Sequence, residues 1–255
     1  MKISMQNIFI ESPLLKNIGV KHGFFTRNGG KSSDKFHSLN CKLNCSDEIE
    51  NVKNNLAIAT QCLNADLENL TLLRQIHSNM LIKANHTINK TEGDAIYTSK
   101  KDSVIGVITA DCVPILVWDN ENKIAIAIHA GWRGSLGGII ENSINEIKKN
   151  GKCQLYAAIG PCIRQNNYEV DEIFYELFLK ETSLNKKFFK NSIVSNKFLF
   201  DLPGYCYEKL IKYGVNKVDN LEIDTYSEER SFFSCRRALH REEKHFGCQI
   251  SIIKI

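Results

Sequence analysis

The chain has 255 residues, 43% hydrophobic and 24% charged, enough to bury a full core without help from disulfides. Its nine cysteines are an odd number, and no apolar run approaches the ~18 residues of a membrane span; this argues against a secreted disulfide scaffold and an integral membrane protein. A net charge of +4 on scattered lysines gives no basic patch for nucleic acid, so the expectation is a cytoplasmic protein with reduced thiols and no nucleic-acid or membrane partner.

The opening MKISMQNIFIESPLLKN has no continuous apolar segment of the signal-peptide kind. Gly23-Phe24-Phe25-Thr26-Arg27-Asn28-Gly29-Gly30 reads as a strand end running into a turn, because Asn-Gly and Gly-Gly adopt positive φ cheaply. Arg27 stands at the mouth of that turn. Cys41 and Cys45 lack a matching second pair and read as structural. Asp47 and Glu50 resemble a capping box, opening a helix whose Ile49, Val52, Leu56, Ala59 and Leu63 trace one face. Leu70 to Lys83 reads as a strand that meets a loop at Arg74-Gln75-Ile76-His77. His77 is a candidate ligand there, in competition with His22, His37 and His86, whereas His240 and His245 lie in a charged stretch expected at the surface. Gly93-Asp94 begins another turn-plus-strand unit, with Asp94 either positioning a loop or reaching a site.

Val104 to Ile140 is the densest stretch. Val113 to Trp118 and Lys123 to His129 read as two strands joined by the polar loop Asp119 to Asn122. Alternation places Val113, Ile115 and Val117 with Ile124, Ile126 and Ile128 on one aliphatic face that belongs in the core. With that loop, Cys112 lies directly across from His129, at a Cβ separation of roughly 4.5 to 5.5 Å. Such a pair suits two ligands of one zinc, a nucleophile with its base, or a buried cysteine beside a core histidine. Ala130-Gly131-Trp132-Arg133-Gly134-Ser135 then reads as a strand-to-helix turn with Ser135 as a possible N-cap. Leu136, Ile140, Ile144 and Ile147 continue at helical spacing to Gly151, which would aim a helix N-terminus at the site as an anion seat or leave an ordinary capped helix.

Leu155 to Ile159 reads as a strand ending in the rigid loop Gly160-Pro161-Cys162, and Asp171 starts a helix through Phe174, Leu177 and Phe178. Phe198 to Leu202 and Pro203 to Tyr213 give a strand and a helix closed by Gly214, and Gln249 to Ile255 gives a last strand. About ten strands and four main helices in mixed order indicate an α+β fold, helices packed outside one or two mixed sheets.

Four stretches, RQIH (74 to 77), TADCVPILVWD (109 to 119), HAGWRG (129 to 134) and IGPCI (159 to 163), resemble the family first named multicopper polyphenol oxidoreductase, or laccase domain. The family is also described as purine nucleoside phosphorylase and adenosine deaminase, with bacterial members that edit peptidoglycan. The likeness runs from Gly23 to the C-terminus and departs from the family pattern at Ser78, Cys41, Cys235 and Cys248, none of them in the metal triad. It implies a single domain over residues 1–255, layered helix, sheet, sheet, helix, with metal ligands His77, Cys112 and His129. It also implies a catalytic group of Cys112, His129, Asp111 and Arg133, and substrate and phosphate contacts from Arg27, Asn40, Gln75 and Arg133. The activity so implied is zinc-dependent phosphorolysis of adenosine, inosine or methylthioadenosine with deamination of adenosine. The small-molecule partners would be nucleoside and phosphate, and the protein a monomer or homodimer. The alternatives are a cysteine-dependent hydrolase or deamidase of a peptidoglycan precursor, with Cys112 as nucleophile and His129 as base, and a copper polyphenol oxidase. The last fits least, because a laccase-type copper site needs roughly ten histidines, many as His-x-His, and this chain has seven and no such pair.

Overall fold

In the computed structural model, which describes residues 8–85 and 87–255, the chain passes back and forth between two six-stranded sheets. His86 lies outside the described residues. The strands are β1 (Phe9–Ile10), β2 (Lys21–Phe25), β3 (Leu70–Arg74), β4 (Leu81–Lys83), β5 (Ile88–Glu92), β6 (Ala95–Thr98), β7 (Val104–Thr109), β8 (Val113–Asp119), β9 (Ile124–Ala130), β10 (Leu155–Ile159), β11 (Glu169–Asp171), β12 (Phe189–Asn191), β13 (Lys197–Phe200), β14 (Lys217–Asn220) and β15 (Gln249–Lys254). The helices are α1 (Pro13–Asn17), α2 (Ile49–Cys62), α3 (Trp132–Leu136), α4 (Ile139–Lys148), α5 (Glu172–Glu181), α6 (Leu202–Lys212) and α7 (Cys235–His240). One sheet has the order β1-β2-β15-β7-β3-β5, the other β14-β10-β8-β9-β6-β4, and β11-β13-β12 form a small third. Both large sheets mix parallel and antiparallel neighbours, as in β3 with β7 against β15 with β7.

Three apolar layers hold this together. Val52, Leu56 and Ala59 of α2 pack on Leu72, Val104 and Ile252 of the first sheet. Phe24, Ile105 and Val107 meet Leu116, Trp118, Ala125 and Ala127 between the sheets. Beyond the second sheet, the predicted aliphatic face of β8 and β9 packs on Ile140, Ile144 and Ile147 of α4 and on Leu202, Tyr205 and Leu210 of α6. The order helix, sheet, sheet, helix in one α+β domain is the one the family resemblance implies. Strands β8 and β9 are buried on both faces, which is why they read as nearly unbroken apolar runs. Each fully buried Ile or Val there contributes roughly 1.5–3 kcal/mol. Among the described residues no helix is long and apolar enough to cross a membrane.

Three local expectations are corrected. The hairpin loop is residues 120–123 rather than 119–122, because Asp119 pairs with Ile124 as the last residue of β8. The Asp119 carboxylate accepts hydrogen bonds from Glu121 N (3.1 Å), Asn122 Nδ2 (2.6 Å) and Gln154 N (3.0 Å), so this polar residue ends the strand as a turn cap. The register moves by two residues, which preserves the faces. It sets His129 opposite Pro114, and Cys112 falls just before β8 instead of across from His129. The expected helix from Ser135 to Gly151 is broken: α3 has five residues with Ser135 inside it, and α4 starts after Gly138 at φ 92°. Finally, Asp47 caps no helix; Glu48 is the N-cap of α2, and the Asp47 carboxylate takes hydrogen bonds from Asn40 and Ser32.

Candidate metal centre

The chain leaves the first sheet for the second after β3, after β5 and after β7, and these three links carry His77, Asp94 and Cys112. His129, next to last in β9, meets them from the second sheet. The donor atoms of His77, Cys112 and His129 all lie within 4.8 Å of one another. The imidazole centroids are 4.8 Å apart, and Cys112 Sγ is 3.8 Å from His77 Nε2.

Asp94 builds two of these positions. Its Oδ1 accepts from the His77 backbone N–H (2.9 Å) and lies 2.7 Å from His129 Nδ1. Its Oδ2 accepts from Ser78 N (2.6 Å), Ser78 Oγ (2.6 Å) and Ile76 N (3.3 Å). His77 sits in the left-handed region at φ 60°, uncommon for a non-glycine residue, and three successive N–H groups thereby converge on one anion. Burial would raise the Asp94 pKa, but hydrogen bonds from His129 and Ser78, with the charge of His129, outweigh it and bring it down to about 2. Because Asp94 holds Nδ1 of His129, Nε2 is the nitrogen left for a metal, as in carboxylate–histidine–metal arrangements.

Cys112 follows Asp111, itself at φ 87°. The Asp111 carboxylate points away from the cluster and accepts from Thr225 Oγ1 (2.7 Å), Ser234 Oγ (2.9 Å) and Arg236 N (2.6 Å). It ties the turn to the C-terminal segment. Gly131 closes the back of the cluster. A Cβ there would come within 2.8 Å of His77 Cδ2 and 3.2 Å of Cys112 Sγ, so only glycine leaves the donors room.

Two imidazoles and one sulfur suit a borderline-soft cation such as zinc or copper, and three protein ligands are the number that leaves a catalytic position open. Burial, then the charge of Asp111, push the Cys112 thiol well above its usual range. A cation at the cluster is the natural partner that would keep that sulfur as thiolate.

A cavity of about 380 Å³ opens from the donors, with walls that include Leu43, Leu73, Ile108 and Phe246. Lys42 lies over the Phe246 ring at 4.2 Å, and Arg74, paired with Glu92, also borders the space. Gln75 lines this cavity, but its amide is engaged with Ile108 N and O, both at 2.7 Å. Asn40 is fully buried, bonded to Asp47 and to the backbone N–H groups of Lys42 and Cys248. Arg27 does not border the cavity: it donates to His37 O (2.8 Å) and Glu229 O (3.3 Å) and lies over Phe233. Arg133 is exposed, stacked 4.3 Å over Trp132, without an ion pair among the described residues. The anion seat at a long helix start is not formed, since α3 ends after five residues.

The other described histidines stay apart from the cluster. His22 is buried against Ser12 N and Val20 O, and His240 and His245 are exposed as expected. Sequence reasoning did not find Gly131 as the floor of the cluster, nor Lys42, Leu43 and Phe246 as cavity walls. Gly131 stood in a quoted motif; the wall residues lie in stretches with no local pattern to mark them.

A family model described as multi-copper polyphenol oxidoreductase laccase matches residues 21–255. A purine nucleoside phosphorylase of Rickettsia conorii is 37% identical over 232 residues, covering 91% of this chain and 94% of that one. An adenosine deaminase from an unknown prokaryotic organism is 32% identical over 235 residues, covering 86% and 89%. Among solved structures, a Neisseria meningitidis protein aligns with a TM-score of 0.84 at 29% identity over 98% of this chain and 99% of that chain. A Bacillus licheniformis hypothetical protein aligns with a TM-score of 0.87 at 26% identity over 99% and 98%.

Proposed function

The chain belongs to the multi-copper polyphenol oxidoreductase laccase family, and from that premise we propose that it is a zinc-dependent purine nucleoside enzyme, phosphorolysing adenosine, inosine or methylthioadenosine and deaminating adenosine. The observation that carries this reading is the three-donor cluster opening directly onto a 380 Å³ cavity with apolar walls. A purine is flat and largely apolar with a polar edge, and such a cavity accepts it between Leu43, Leu73, Ile108 and Phe246 with that edge toward the donors. When bound, zinc would supply Lewis acidity and an activated water at neutral pH. Asp94 fixes the His129 ring and its tautomer, and the apolar walls exclude bulk water. The names of the relatives from Rickettsia conorii and the unknown prokaryote point the same way.

The cysteine-dependent alternative finds a partner for Cys112 in His77 at 3.8 Å rather than in His129. It runs against the raised pKa of the thiol, since an activated cysteine needs the opposite shift. Copper oxidase chemistry finds two histidines at the cluster, short of the set such a site requires. The test is elemental analysis of protein purified without added metal, followed by product analysis on nucleosides with and without phosphate. One zinc per chain and phosphate-dependent release of free purine are expected. Metal-free protein that keeps its activity in chelator and loses it to iodoacetamide would replace this reading with the cysteine one.

A further inference from the structure

A second cavity, of about 160 Å³, abuts the larger one along Ala110, Cys112 and Cys235. It has less than half the volume of the larger cavity and leaves ample room for a tetrahedral oxyanion. Its polar wall is Arg236, Tyr168 and Asp111. One guanidinium nitrogen of Arg236 donates to Glu169 O at 2.8 Å, the group lies 5.2 Å over the Tyr168 ring, and no carboxylate pairs with it among the described residues. The Tyr168 hydroxyl has no hydrogen-bond partner among the described residues. Burial raises the phenol's pKa, so the hydroxyl stays a donor at neutral pH. The Asp111 carboxylate is turned onto its three donors with Arg237 nearby, which leaves the cavity's free hydrogen-bonding capacity as donors.

We propose that this smaller cavity seats inorganic phosphate as co-substrate, bound by Arg236 and the Tyr168 hydroxyl, while the nucleoside occupies the larger cavity across Cys112. The proposal rests on the phosphorolytic reading above. In the reaction an oxygen of hydrogen phosphate forms a bond to C1′ of the ribose as the C1′–N9 bond breaks. The bonding pair leaves with the purine, the phosphate's proton goes to the purine, and ribose 1-phosphate and free base result. Arg27 and Asn40, bonded into the fold, do not line this smaller cavity.

The test is initial rate against phosphate at fixed inosine, and against inosine at fixed phosphate, for wild type, Tyr168→Phe, Arg236→Lys and Arg236→Gln, with zinc content and melting temperature as checks on the fold. Tyr168→Phe keeps the ring and removes only the hydroxyl, so it separates binding from packing. It should raise the phosphate KM by about two- to tenfold, and Arg236→Gln by about ten- to a hundredfold, with Arg236→Lys between wild type and Gln. The inosine KM should move less in each. Folded, zinc-loaded variants whose phosphate KM stays within about twofold of wild type would overturn the proposal. If wild-type cleavage needs no phosphate, the phosphorolytic reading fails on its own. The anion site is then decided by phosphorus NMR titration of inorganic phosphate on wild type and Arg236→Gln: binding lost in the variant supports it, and equal or absent binding in both removes it.

Discussion

Two buried aspartates stand behind the cluster, each set in a link from the first sheet to the second, and their carboxyls are pushed in opposite directions. Asp94 is held down to about 2, whereas the pKa of Asp111 is raised. Both are buried and both accept several hydrogen bonds. Asp111 is the more deeply buried of the two, and the donors differ as well. Asp94 faces five, three of them consecutive backbone N–H groups that cannot turn away and one an imidazole that carries charge when protonated. Asp111 faces two hydroxyls, which rotate and can accept as well as donate, and a single N–H. Burial therefore wins at Asp111 and loses at Asp94. Hydrogen-bond number alone does not set a buried carboxyl's state; the depth of burial and the rigidity and charge of its donors enter too.

The largest way to break this comparison is replacement by asparagine. At Asp94 either orientation of the amide turns an NH2 toward N–H donors, so Asp94→Asn should cost about 3 kcal/mol and weaken zinc about ten- to a hundredfold by freeing His129. At Asp111 the amide oxygen can take the Arg236 and Ser234 bonds while the NH2 donates to Thr225. Asp111→Asn should therefore cost about 1 kcal/mol and leave zinc bound. Denaturant unfolding and metal titration of both variants measure this, and equal costs would show that the donor argument is wrong.

Acid sharpens the same contrast at a smaller scale. The Asp94 pKa falls from 3.8 to about 2 on folding, so its ionised form stabilises the protein above about pH 4. That contribution, on the order of 2 kcal/mol, is lost as the pH falls from about 4 to about 2. Asp111 has the reverse sign: its contribution is present at low pH and lost as the pH rises through its raised folded pKa. Unfolding free energies from about pH 2 to about pH 6 should thus fall less steeply with acid in Asp94→Asn and more steeply in Asp111→Asn than in wild type.

The smallest change tests space without touching either carboxylate. Gly131 has φ −71°, which alanine adopts freely, so Gly131→Ala isolates the added methyl. With His77 Cδ2 at 2.8 Å and Cys112 Sγ at 3.2 Å from that methyl, zinc affinity should drop about tenfold while the melting temperature of the metal-free protein changes little. Unchanged affinity would mean that the His77 link yields, and that Asp94 holds it less firmly than its bonds suggest.

Much of this was legible in advance, by two routes. Alternation in β8 and β9 gave the buried face of the hairpin from local pattern alone, because a period of two survives a register error of two. The same error misplaced Cys112 opposite His129, since the polar Asp119 reads as loop although its side chain caps the turn from within the strand. The three donors came from motif resemblance, and the structure brings them together by a route the hairpin did not supply. Helical spacing ran through Gly137-Gly138 because Leu136 and Ile140 keep the period across the break. Thr225 and Ser234, more than a hundred residues from Asp111, had no local signal at all.

The three links that carry His77, Asp94 and Cys112 all cross the same gap between the sheets, with His129 fixed on the far side. A cation held by these donors would act as a clasp, so any motion that slid one sheet over the other would stretch the coordination bonds. Conversely, strands at both ends of each link anchor the donors. Capture of the ion then orders little additional chain, so the entropy gained by the water it releases is offset little by ordering of the protein.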